Sequence, residues 1–296
     1  MNTPQKTRQK PQTVSVMAKL VSPLFGKGYG RALMLAGICM TLFVTGMSVL
    51  APIISPHDPT LIGLGPPNDP PSAQFPMGTD QYGRDMLSRI IWGGRFVLLV
   101  AVTAVAICLT IGVPIGLASA YAGGNVDRAI ALIMDSVYAF PSLVLAIMII
   151  SVFGVSIIND ALAIAVVFIP SYFRIVRSQV LSIKEMPYVD AGKSAGAGTP
   201  AVLLRYIWPN VISSVIVVAT VNFADSILTT AGLDFIGLGL PVNLPDWGID
   251  LTYGRQVLPL GVWWTIVFSG LMILISALGF SLVSEGYAER TNPKLR

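Results

Sequence analysis

The run Gly192-Lys193-Ser194, inside KEMPYVDAGKSAGAGT (184–199), ends like a phosphate-binding loop. Such a loop wraps phosphate with backbone N–H groups and needs a glycine five residues before the Gly that precedes Lys. That place holds Pro187, which has no N–H and cannot take a positive φ. The segment therefore calls for a reading other than nucleotide binding. Few other residues carry chemistry. Asp135 and Asp225 are acids inside apolar runs, where a charge is costly and often marks a transport pathway or proton relay; a purely structural hydrogen bond is the competing reading of each. His57 is the only histidine, which argues against a multi-histidine metal site within the chain. No Ser/His/Asp set can form inside the apolar runs, so no catalytic residue is assigned and the chain does not read as an enzyme. Cys39 and Cys108 both lie in apolar runs and imply no disulfide framework.

The elements that would position these groups are membrane helices. The 296 residues are 54% hydrophobic and 11% charged, against about 25% charged for a soluble domain. About 20 apolar residues cross a bilayer, and six runs qualify: 32–54, 96–121, 129–153, 157–178, 210–232 and 262–284. The first is too long for a signal-peptide core and is read as a retained anchor. Six crossings place both termini on one side. Fifteen of the 19 Lys and Arg residues fall on that side, and only Arg84, Arg89, Arg95 and Arg255 fall opposite. The positive-inside rule then puts both termini in the cytoplasm, with tails at 1–31 and 285–296 around a membrane domain at 32–284. The net charge of +4 is scattered among these runs and reads as topology, with no nucleic-acid partner.

Three stretches lie outside the spans. Residues 55–95 form an external loop that closes in an interfacial helix from Arg84 to Arg95, with Met86, Leu87, Ile90 and Ile91 on one side. Residues 179–209 are cytoplasmic, and residues 233–261 form a second external loop. Pro114, Pro141, Pro170 and the Gly112-x3-Gly116 pair interrupt spans as hinges or as packing sites. From Met186 onward, Ala191, Gly192, Ala195, Gly196, Ala197 and Gly198 form a small-residue surface, with Asp190 near the start of a short helix where it suits the positive dipole end. Small side chains let a partner approach the backbone closely, so 186–200 reads as a docking helix.

Asp190-Ala191-Gly192, three residues, Gly196, nine residues, then Tyr206-Ile207-Trp208-Pro209 resembles the cytoplasmic Glu-Ala-Ala motif of ABC importer permeases. The spacing agrees throughout, while Asp replaces Glu and Gly replaces the second Ala. Gly78-Thr79-Asp80-Gln81-Tyr82-Gly83-Arg84-Asp85 resembles the external signature of one subfamily, the second permease subunit of dipeptide, oligopeptide and nickel importers. Asp135 with Ala139-Phe140-Pro141-Ser142-Leu143 is similar to its third-span pattern, and Leu233 to Gly248 to its Leu-Ser-Phe-Leu-Gly-Leu-Gly loop ending in Trp-Gly. In that loop Asp234 stands in place of Ser, and Val242-Asn243 in place of a Pro-Pro pair.

This resemblance implies an all-α, six-span permease of the type I ABC importer fold in a prokaryotic inner membrane. It implies a second homologous permease, two ATP-binding subunits that carry ATP and Mg, and an external substrate-binding protein. This chain would bind no cofactor. Asp190, Ala191, Gly192, Lys193, Gly196, Gly198 and Pro209 would belong to the ATPase-coupling segment, and Asp234, Asp246 and Trp247 to the external docking loop. Peptide is the implied cargo, with nickel chelates, glutathione or oligosaccharides as alternatives. A proton-coupled secondary transporter using Asp135 or Asp225 is the competing class.

Overall fold

The computed structural model describes residues 29–239 and 243–291; most of the two expected tails, and Val242, lie outside the described residues. Nine principal helices follow in chain order: α1 Tyr29–Val49, α2 Met86–Ala122, α3 Gly124–Tyr138, α4 Ser142–Phe153, α5 Ile157–Ile183, α6 Pro187–Ser194, α7 Trp208–Ile236, α8 Trp247–Val257 and α9 Trp264–Thr291. Among the described residues five helices are long and apolar enough to cross a membrane, and α3 with α4 adds a sixth crossing if the bent pair is one span. Large apolar side chains such as Leu42, Leu132 and Val152 face outward, while Arg89, Asp160 and Ser269 are buried. Polar groups inside and apolar groups outside are what a lipid environment selects.

The centre of the bundle is α5, whose Ala161, Ala163, Ile164, Ala165, Tyr172, Val176 and Val180 are all buried. It lies closely along α2. A Cβ on Gly112 would stand 3.0 Å from Tyr172 Cβ, and one on Gly116 would stand 2.9 Å from Val176 Cβ. The Gly112-x3-Gly116 pair is thus a packing face, which lets two backbones approach.

Three elements differ from the sequence reading. The segment 86–95 is not a separate interfacial helix: it forms the first turns of a continuous 37-residue α2. Its apolar side faces α8 and α9, where Met86 and Ile90 join Trp247 and Trp264 in one buried cluster, so no lipid surface is needed to cover it. The run 129–153 is not one straight helix. It breaks between Tyr138 and Ser142 with a 91° bend. Pro141 disfavours helix at Phe140, and residues 138–142 are exposed, so no packing overrides that preference. Pro170, buried in α5, and Pro114, itself exposed but set among the buried Gly112, Val113 and Gly116 of α2, leave their helices continuous. Finally, α9 runs on to Thr291 and absorbs the start of the expected C-terminal tail.

Candidate functional site

Three constellations bring together the residues singled out above. The first is a cap built from the loop before α2 and from α8. Gly78, Thr79, Asp80, Gly83, Arg84 and Asp85 are all buried. Asp80 accepts hydrogen bonds from the backbone N–H of Tyr82 at 2.8 Å and of Arg84 at 2.9 Å, and from Arg84 Nε at 2.6 Å. Thr79 accepts from Asp69 N and donates to Pro66 O, and its own carbonyl accepts from Trp264 Nε1 at 2.9 Å. Asp85 caps α2, accepting from Leu87 N and Ser88 N, as an N-cap carboxylate does.

His57, Asp85 and Ser88 meet here, yet not as a catalytic relay. His57 Nδ1 lies 3.2 Å from Asp85 Oδ2, and Ser88 Oγ donates to that same oxygen at 2.6 Å. In a nucleophilic triad the hydroxyl faces the imidazole. Here Ser88 Oγ instead accepts from the His57 backbone N–H, so the trio is a structural staple.

Arg89 joins the two halves of the cap. Its side chain is wholly buried, with Asp250 Oδ1 at 2.7 Å from Nη2, Pro59 O at 3.2 Å from Nη1 and Leu244 O at 3.3 Å from Nη2. Trp247 donates from Nε1 to Ile90 O at 2.9 Å. Asp234, Asp246 and Trp247, which the sequence reading assigns to a docking loop, are 1%, 0% and 0% exposed in the chain itself. Their side chains are enclosed within the cap of the chain itself.

Asp246 caps α8 through Gly248 N and Ile249 N. Burial pushes its carboxyl up to about 6, and the Asp250 charge adds to this; hydrogen bonds from Asp234 and the two backbone N–H groups pull the other way. Below about pH 4 both folded and unfolded chains hold this proton. Between about pH 4 and 6 only the unfolded chain releases it, so stability falls as pH rises through that window. The purified chain is accordingly expected to melt higher at pH 5 than at pH 7.5, and Asp246→Asn, which keeps an N-cap acceptor, is expected to flatten the slope. Melting followed across that range for both proteins checks this, and identical slopes would refute it.

The second constellation is α6 and the turn after it. Asp190 and Lys193 form an exposed pair at 3.0 Å, and Ala191 and Gly198 are exposed. Gly196 ends the helix at φ +88°, its N–H donating to Lys193 O at 2.9 Å, the left-handed ending that glycine takes without strain. Gly192 instead faces inward, and a Cβ there would lie 2.8 Å from the Tyr206 ring. Tyr206 belongs to a π-helical turn, Val202–Ile207, just before Pro209. Proline lacks an N–H and its ring crowds the carbonyl four residues back, so the widened turn accommodates it. Gly192→Val is expected to cost about 1–3 kcal/mol by overpacking and to detach α6, with Tyr206→Ala as the relieving partner. Hydrogen exchange across 184–209 reads this directly; unchanged protection in Gly192→Val would sink the contact.

The third constellation is a polar recess beside the α3–α4 elbow. Asp135 is paired with Arg174 at 2.7 Å, both side chains more than half exposed; sequence spacing gave no sign of this partner, which lies on a different helix. Asp225 is half-buried and lines a recess of about 400 Å³ with Tyr138, Phe140, Ser142 and Asn222. A second recess of about 430 Å³, lined by Arg174, Ser171 and Val217, adjoins it. Nearby, Arg177 holds Asp127 by two hydrogen bonds of 2.8 and 2.7 Å. Sequence reasoning missed this α5–α3 tie, because a 50-residue separation carries no local signal.

Apolar helices long enough to cross a membrane, with a polar recess at a broken helix, define a polytopic membrane protein. Residues 112–296 match the family described as binding-protein-dependent transport system inner membrane component, and the chain belongs to that family. It is 36% identical over 268 residues to the di/tripeptide transport system permease protein DppC of Pseudomonas aeruginosa, covering 88% of each chain. It is 36% identical over 287 residues to the probable D,D-dipeptide transport system permease protein DdpC of Escherichia coli, covering 97% of this chain and 95% of that one. The glutathione transport system permease protein GsiD of Pectobacterium atrosepticum is 34% identical over 229 residues, covering 77% of this chain and 76% of that one.

Proposed function

We propose that this chain is one of two permease subunits of an ATP-driven importer of di- and oligopeptides. The observation that carries this reading is similarity over nearly the whole chain to permeases of di- and tripeptide transport systems. In this reading both termini are cytoplasmic, which the Lys and Arg distribution supports. Helix α6 rests in a groove of an ATPase subunit, so that ATP-driven closure of two ATPases moves it as a rigid body and rocks the spans. ATP and Mg belong to those subunits, and this chain binds neither. A substrate-binding protein delivers cargo at the cap. Glutathione is a second candidate cargo, on the strength of the GsiD likeness.

Purification of the tagged chain in mild detergent with mass spectrometry of its partners tests the assembly. Recovery of a second permease and one or two ATPases supports it. Recovery of this chain alone, with uptake insensitive to ATP depletion, favours a self-contained transporter instead.

A further inference from the structure

The two recesses share Tyr138, Ser171, Val221 and Asn222 and so form one hollow along α5 and α7. Its charged residues are at different levels. Asp225 and Phe168 line one end, and Arg174 lines the other. Arg174 follows Phe168 by six residues, which is about 9 Å of helix rise.

Among the described residues Asp225 has no ion-pair partner, and Arg174, though paired with Asp135, keeps unused donors. Among the described residues no side chain donates a hydrogen bond to the Asp225 carboxylate; its recorded bond is from Thr229 Oγ1 to the Asp225 backbone carbonyl. Arg174 gives one hydrogen bond, from Nη2 to Asp135 Oδ1, and lies over the Tyr138 ring at 4.2 Å. A guanidinium has five N–H donors in a planar fork suited to carboxylates, so donors remain for a second acceptor. Tyr138 and Ser142 stand on either side of the bend at Pro141, and the elbow therefore helps to open the hollow in which these groups lie.

An anionic group and a cationic group at opposite ends of one hollow suit a ligand with charges at both ends. An extended peptide advances about 3.3–3.6 Å per residue, so two or three residues cover the helix rise from Phe168 to Arg174. We propose that Asp225 and Arg174 form a pathway subsite that reads the free ammonium and free carboxylate of a short zwitterionic peptide. Asp225 takes the ammonium and Arg174 the carboxylate, while Ser171 and Asn222 face the peptide bond between them. The proposal rests on the peptide-permease reading above. It adds that the permease itself, besides any delivering protein, checks both ends of the cargo.

The test is uptake by the complete complex in proteoliposomes, with dialanine, N-acetyl-dialanine and dialanine amide as probes. The same binding protein serves every variant, so its own preferences cancel in the comparison. Asp225→Asn is expected to lower dialanine uptake about tenfold, the scale of a lost charged hydrogen bond, and to leave N-acetyl-dialanine unaffected. Arg174→Gln is expected to do the same to dialanine while sparing the amide. A uniform loss for all three probes means a structural role and overturns the subsite. Undiminished dialanine uptake in both variants also overturns it, while ATP-dependent uptake by the natural chain keeps the importer reading. No ATP-dependent dialanine uptake by the natural chain overturns both. Where blocked peptides move too slowly to compare, Asp225→Cys in a Cys39→Ser background is labelled with a cationic thiol reagent; slowing by excess dialanine supports the subsite, and equal rates overturn it.

Discussion

Arg89→Met is expected to be the most damaging single change in the cap, lowering stability by about 3–5 kcal/mol, the scale of breaking a buried ion pair. Arg89 is wholly buried, and Asp250, its partner at 2.7 Å, is buried as well. Its removal strands the Asp250 carboxylate, takes a second cation from the vicinity of Asp80 at 3.9 Å, and leaves the carbonyls of Pro59 and Leu244 without this donor. Burial already raises the Asp250 pKa, with the Arg89 charge opposing it. In the variant that opposition disappears, so Asp250 takes up a proton more readily and the defect eases as pH falls. Adding Asp250→Asn is expected to restore part of the loss, since the uncompensated charge is then gone. Membrane abundance and detergent melting of the single and double variants check this. A single variant as stable as the natural chain would show that the cap is not held by Arg89.

Gly196→Trp is expected to block ATP-dependent uptake while the chain still inserts and assembles. A Cβ at 196 would meet no atom within 4 Å, and the residue is exposed, so a side chain there starts in open space. The φ of +88° adds strain for any L-residue, about 1–2 kcal/mol, but this falls on an exposed turn. Under the proposed coupling role the larger effect falls on a docked ATPase. Overpacking a close contact costs about 1–3 kcal/mol, a loss of roughly fivefold to 150-fold in association. Gly196→Asn separates the two effects, because Asn tolerates the left-handed conformation and is small. Uptake near normal for Asn and absent for Trp supports docking at this turn. Normal uptake for Trp would remove α6 from the coupling path.

The crossing helices were legible because apolar runs of 20 or more residues record their own burial in lipid. The positions of α1, α5, α7 and α9 follow from such runs, and the start of α6 at Pro187 follows from local signals, proline at the first turn and Asp190 soon after. The continuity of α2 was not legible. Met86, Leu87, Ile90 and Ile91 show a helix with one apolar side, but periodicity does not say whether lipid or another helix covers it. The signature Gly78 to Asp85 was recognisable as a pattern, yet its burial depends on Trp264 and on Asp250 through Arg89, residues more than 150 positions away. Likewise Pro114, Pro141 and Pro170 look alike in sequence, yet only Pro141 lies in a run, 138–142, that is exposed throughout, and only there does the span bend.

By itself the sequence determined that this is a membrane protein built of helices, and it gave reasons, in the Lys and Arg distribution and in Pro187, for the proposed orientation and against a nucleotide loop at Gly192-Lys193-Ser194. These are local properties, set by hydropathy, charge count and the missing N–H of Pro187. The tertiary structure alone decided what the isolated charges do. It paired Asp135 with Arg174 and Asp127 with Arg177, enclosed Asp234, Asp246 and Trp247, and set Asp225 and Arg174 in one hollow. A charge inside a bilayer is compensated by whatever the packing brings near, and that neighbour is chosen by helix arrangement rather than by distance along the chain.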